Sequence, residues 1–262
     1  MPARASREWS CRRVKRPHAV VQAQRFSRAL YFSSSRFYLI EMAVYFTPEL
    51  FRFLARLKRN NNRDWFLAHK DEYEKHVRQP ALRFISDFAV PLADITTYLV
   101  ADPRPSRGSL FRIYRDTRFS NDKRPYKTHI AMRFSHRGKD VHSAGFYLHL
   151  ESGGCFAASG LWHPEPPTLL KVRNAIVSRA EEWRAVRELL NWGDASKLTR
   201  APRGFPSDHE FVQDLKLRDL GTSVDFTEKQ VCSPRFLSMF AAACREMSPV
   251  AAFLSSAVEL RF

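Results

Sequence analysis

Apolar residues recur along this chain in two periods, and the change of period marks where helices give way to strands. From Pro48 onward, Leu50, Leu54 and Leu57 share one helical face. Thr47 stands where it can cap that helix, with Pro48 at the first position. Asn60-Asn61-Asn62 ends it. A second helix turns Phe66, Tyr73 and Val77 inward and Lys70, Glu74 and Lys75 outward. Residues 81–99 place Leu82, Ile85, Phe88, Leu92, Ile95 and Leu99 on one stripe, begun by Pro80 and kinked at Pro91. Asp102 to Ser106 is then a loop. From Leu110 the period drops to two. Phe111 and Ile113 face one way, and Leu110, Arg112 and Tyr114 the other. Ile130, Met132 and Phe134 oppose Ala131, Arg133 and Ser135 in the same manner. Phe146, Leu148 and Leu150 oppose Tyr147 and His149. Cys155 to Leu161 is a fourth strand whose small residues allow close backbone approach, and Gly221 to Phe226 reads as a short one. Helical spacing returns at Leu169, Val172 and Ile176, at Trp183, Val186 and Leu190, and after Ser233-Pro234 with Phe236, Met239, Phe240 and Met247 inward. The pattern predicts an α+β fold, with a mostly antiparallel sheet of about four or five strands flanked by N-terminal and C-terminal helices.

Composition sets the boundaries. The chain has 262 residues, 44% of them apolar, which suffices for one large domain. Residues 1–42 carry nine basic residues against two acids and lack clean periodicity. They read as a disordered basic extension, either a targeting-like segment or sequence upstream of a true start near Met42. The expected domain is therefore 43–262. Four cysteines, Cys11, Cys155, Cys232 and Cys244, are scattered with no C-x-x-C pair, so neither a disulfide framework nor a metal site is signalled. A reducing, cytoplasmic setting is the default, with organelle targeting by residues 1–42 left open. No apolar run is long enough for a membrane span, so no membrane partner is expected.

Charge picks out one stretch. The net charge is +16, and Arg107 to Lys139 alone holds ten Lys or Arg against Asp116 and Asp122, a net of +8. With the extension at +7, the rest of the expected domain is nearly neutral, and focused basicity of this kind favours a specific anionic partner. Asp116 to His129 is too polar for a core and too long for a tight turn, so it reads as an ordered loop. Arg and Lys suit phosphate or carboxylate, Tyr can stack on a base, and the two acids can orient Arg side chains. The rival reading of the same residues is a solvated basic hairpin.

The run R-I-Y-R-D-T-R-F-S-N-D-K-R-P-Y-K-T-H from Arg112 resembles the signature of the family known as domain of unknown function 2461, found in bacteria and fungi. The segments K-R-N-N-N-R-D-W-F-L-A-H-K, G-L-W-H-P-E-P and A-P-R-G-F are similar to that family as well, over about 43–262. The family departs from this chain after Phe205, where His209 precedes Glu210 instead of a proline. The resemblance implies a shared fold and surface and no established activity.

No phosphate-binding P-loop, dinucleotide fingerprint, zincin motif or nucleophile elbow is present, and no cofactor is implied. The expected function is binding of a phosphate-bearing ligand, nucleic acid or nucleotide, through a basic, aromatic sheet face and the 115–128 loop. The expected ligand-binding residues are Arg112, Tyr114, Arg115, Arg118, Lys123, Tyr126, Lys127, Arg133, Tyr147 and Trp162, with no metal ligand. An enzyme acting on a phosphorylated or carboxylated small molecule would instead draw acid–base groups from Asp116, His149 or Glu165. A domain that meets an acidic protein partner is the third class.

Overall fold

A proline at the start of a helix has no amide hydrogen to lose, and Pro48 opens α1 (Pro48–Arg59) in this way after Thr47. This computed structural model describes residues 43–118, 120–137, 143–192 and 197–262. The N-terminal extension and Phe119 lie outside them. Helix α1 buries Leu50, Phe51, Phe53, Leu54 and Leu57. Asn62 caps α2 (Arg63–Ala68) by accepting from the Trp65 amide. A short α3 (Lys70–Tyr73) and one π-helical turn (Glu74–Arg78) lead without a break into α4 (Gln79–Ala93). Phe84, Ile85, Phe88 and Leu92 of α4 face inward.

The sheet follows. Strands β1 (Leu99–Val100), β2 (Ile130–His136), β3 (Phe146–Leu150), β4 (Cys155–Leu161) and β5 (Leu220–Phe226) lie side by side in chain order, every pair antiparallel. Between β4 and β5 come α5 (Pro166–Ser178), α6 (Ala180–Arg187) and α7 (Val212–Leu215). Thr227 and Gln230 form a reciprocal capping box that ends β5 and starts α8 (Glu228–Val231), and α9 (Phe236–Ala257) closes the chain. Helix α9 lies across β4 and β5. The main core fills the space between that sheet face and α1, α4 and α9. A second apolar cluster joins α5, α6 and the last turns of α9 to Leu161 and Leu220. Among the described residues, no helix is long and apolar enough to cross a membrane. Cys155, Cys232 and Cys244 are free thiols.

The helical stripe through Leu99 stops early. Helix α4 ends at Ala93, and Leu99 belongs to β1, paired with His136. The strand expected at Leu110 to Arg115 is not regular either. Its residues make only isolated bridges, Leu110 to Met132 and Tyr114 to Tyr126. They run along the edge of β2 that β1 leaves unpaired, with Phe111 N–H donating to Ala131 O (3.0 Å) and Arg133 N–H to Ser109 O (2.8 Å). The break in pleating shifts the alternation. Leu110 and Ile113, three apart, pack into the core, while Phe111 is 39% exposed and meets Tyr147 on the other face at 6.3 Å. The expectation that Phe111 is buried with Ile113 is corrected accordingly.

Candidate functional site

The two arms of the basic stretch close through Lys127 N–H to Ile113 O (2.8 Å) and Arg115 N–H to Pro125 O (2.9 Å), so residues 116–118 and 120–124 belong to the tip of an irregular hairpin. Asn61 clamps that hairpin to the helices. Its amide nitrogen donates to Tyr126 O (2.9 Å) and its carbonyl accepts from Tyr126 N–H (3.0 Å). Tyr126, expected at the surface, is 3% exposed and stacks on Phe66 at 4.1 Å, so it holds the loop from below. Asn61→Ala would leave both Tyr126 backbone groups without this partner. We expect a loss of about 1–3 kcal/mol, with faster amide exchange at Tyr126 and Lys127 than in the wild type. Unchanged exchange there would mean the clamp is dispensable.

One local device repeats at the tip. In Asp116-Thr117-Arg118, the Arg amide donates to Asp Oδ1 (3.3 Å) and the guanidinium grips the same carboxylate at 2.9 and 2.7 Å. In Asp122-Lys123-Arg124 the corresponding distances are 3.1, 2.9 and 2.5 Å. Short Asp-to-backbone bonds make the turn, and the charged fork fixes the Arg direction. Arg115 reaches across to Asp122 at 2.7 Å. Its guanidinium and that of Arg124 hold the Asp122 carboxyl well below the usual carboxylate range, Arg124 first. Arg118 holds Asp116 down to about 2, so Asp116 carries no proton to donate near neutral pH. The Lys123 ammonium donates to Thr117 O (3.0 Å). Arg112 and Tyr114 are exposed, Tyr114 by 53%.

The sheet face opposite the main core holds the remaining expected residues, and it is more closed than the alternation suggests. Its rows follow from register. Ala131, His149, Phe156 and Asp225 lie opposite one another across the strands, as do Arg133, Tyr147, Ala158 and Ser223. Tyr147 and His149 are buried, Tyr147 in a small apolar cluster with Ala131, Phe156 and Ala158 backed by Trp192. Arg133 donates to Ser143 O (2.9 Å), and Lys127 lies over the Phe111 ring at 5.3 Å. Arg133, Tyr147 and Trp162 line a cavity of about 20 Å³, room for one water molecule. Glu165 is the N-cap residue of α5, and its neighbour His163 donates its backbone amide to Asp219 (2.5 Å). Apart from Tyr126, in the main core, and Glu165, at the start of α5, the expected residues divide between an exposed loop tip and a largely covered sheet face, linked through Phe111 and Lys127.

The sequence spacing signals no metal ligands, yet register assembles a candidate set. His129 precedes β2, and His149 and Glu151 stand at the end of β3, where they meet with ligand atoms within 4.8 Å of one another. His149 Nε2 is 3.5 Å from Glu151 Oε2, its Nδ1 is 3.0 Å from Tyr147 OH, and its ring stacks on Phe156 at 4.8 Å. The His129 ring lies 4.4 Å from that of His149, and burial first, then its imidazole neighbour, pushes its pKa down to about 3. Glu151 Oε1 accepts from Thr128 (3.3 Å) and faces Lys58 (3.7 Å). A cleft of about 440 Å³ adjoins Glu151, lined by Leu54, Ala55, Lys58, Arg59, Thr128 and Ser152. Sequence reading singled out His149 but not Glu151, although alternation carried on past Leu150 would have placed the two on one strand face. His129, twenty positions earlier, was not legible in this way.

An irregular basic hairpin clamped to an N-terminal helical layer, on an antiparallel meander backed by a C-terminal helix, defines the class of protein. Over residues 49–253 the chain matches the family described as conserved hypothetical protein (DUF2461), and it belongs to that family. No curated protein and no solved structure matches it.

Proposed function

We propose that this protein binds a phosphate-bearing ligand, nucleic acid or nucleotide, at the tip of the basic hairpin. The observation that carries this reading is the pair of Asp-x-Arg turns. Each fixes the direction of a guanidinium that is still half or more exposed, 63% for Arg118 and 53% for Arg124. A solvated basic loop would leave such side chains to find their own rotamers. Here the rotamer entropy is lost before any ligand arrives, which favours affinity for an anion. The charge balance is still positive, because residues 115–128 carry five Lys or Arg against two Asp. Tyr114 supplies an exposed ring beside them, suited to base stacking. Arg112 adds a cation near Asp116.

Binding of a fluorescent single-stranded oligonucleotide, measured across salt concentrations, tests this. Each phosphate contact contributes a slope of about −0.7 in log affinity against log salt. Lys123→Ala is expected to shallow the slope by nearly one such contact with little change in melting temperature, since exposed charges stabilise folds weakly. Asp116→Asn separates an organised site from a patch of charge. It raises the net positive charge while releasing Arg118, so weaker binding is expected if orientation matters. Tighter binding in that variant would overturn the proposal.

A further inference from the structure

We propose that His129, His149 and Glu151 form a binding site for a divalent transition-metal ion of the zinc class. Two imidazoles and one carboxylate are the donor types such an ion takes, and the three converge from two neighbouring strands. The separations fit an ion better than direct pairing. At 3.5 Å, His149 Nε2 and Glu151 Oε2 are too far apart for a strong hydrogen bond. Two ligands each ~2.05 Å from a tetrahedral ion stand roughly 3.3 Å apart. All the ligand atoms of the trio lie within 4.8 Å of one another. Tyr147 OH, 3.0 Å from His149 Nδ1, is the outer partner for an Nε2 ligand: with a metal bound, Nδ1–H would donate to the phenol oxygen and Nε2 would face the ion. The Phe156 stack holds the same ring in plane. Three protein ligands beside a cleft are the arrangement of sites that keep a position for water or substrate. Lys58 and Arg59 on the cleft rim add positive charge, which suits an anionic molecule there. This inference is independent of the reading of the hairpin tip.

The test uses the tag-free full chain, stripped with a chelator and reloaded with Zn²⁺ or Co²⁺. About one equivalent of metal per chain is expected to survive dialysis, with visible Co²⁺ absorption of a site of low coordination number. His129→Ala and Glu151→Gln are each expected to abolish retention, with the metal-free variants still giving a cooperative melt. Tyr147→Phe keeps all three ligands and is expected to weaken metal affinity about 10–100-fold. Added Zn²⁺ should raise the melting temperature of the wild type and leave that of Glu151→Gln unchanged. Metal uptake by the wild type no greater than by His129→Ala would overturn the proposal, as would full retention by Glu151→Gln. If His129→Ala fails to fold, Glu151→Gln and Tyr147→Phe carry the decision.

Discussion

Truncating Phe84 to Ala is expected to destabilise the fold by about 3–5 kcal/mol. Phe84 is fully buried on α4, and aromatic rings surround it. Tyr45 meets it edge-on at 5.4 Å, Phe236 stacks at 5.5 Å, and Phe46 and Phe240 close the sides at 5.5 and 5.6 Å. These rings belong to the segment before α1 and to α9, so Phe84 ties both to α4. A deleted ring costs its transfer free energy and also leaves a cavity, and stiff aromatic walls collapse poorly. Phe111→Ala is the comparison, with an expected cost of about 1 kcal/mol or less because its ring is partly in water. Urea midpoints at constant slope measure both. A Phe84→Ala loss below about 1 kcal/mol would mean that this cluster is not the centre of the core.

Gly160→Ala is expected to cost a similar amount, about 3–5 kcal/mol, through the backbone instead of the core. Gly160 sits in β4 opposite Gly221 of β5, with φ +153, a conformation that L side chains rarely adopt. A Cβ there would stand 2.3 Å from Leu220 O and 2.5 Å from Gly221 Cα, both backbone atoms of the paired strand. Neither can give way without opening the ladder. The Trp192 ring tip, 2.9 Å away, could move, which is why the backbone contacts decide the sign. Gly153→Ala separates the two causes. Its φ is +74 but nothing lies within 4 Å of the added carbon, so only the backbone term of about 1–2 kcal/mol applies. Equal costs at the two positions would show that the β4–β5 spacing is not the constraint. Gly221 leaves the room that Trp192 occupies, since a Cβ there would meet its ring at 2.5 Å.

Much of this protein was determined locally. Alternation over Ile130 to Phe134 and Phe146 to Leu150 predicted β2 and β3 and the face each turns to the main core, but not that the opposite face of β3 is covered as well. Small residues marked β4, and helical spacing marked α1, α5, α6 and α9. The hairpin's charge, and its likeness to a family that the match over residues 49–253 bears out, were also legible in the residues alone. Tertiary structure decided what distance along the chain hides. Phe111 left the core because the edge of β2 is shared with β1, and an arm tethered only by isolated bridges need not keep its pleat. Tyr126 went inward because Asn61, sixty-five residues earlier, supplies both hydrogen bonds its backbone needs. Register brought His129 to His149 and Glu151, a relation that exists only once β2 and β3 pair. Periodicity follows from each segment's own contact with water or core, and so it can be read locally. Which segments become neighbours depends on the summed packing of all of them, and no single stretch of this sequence contains it.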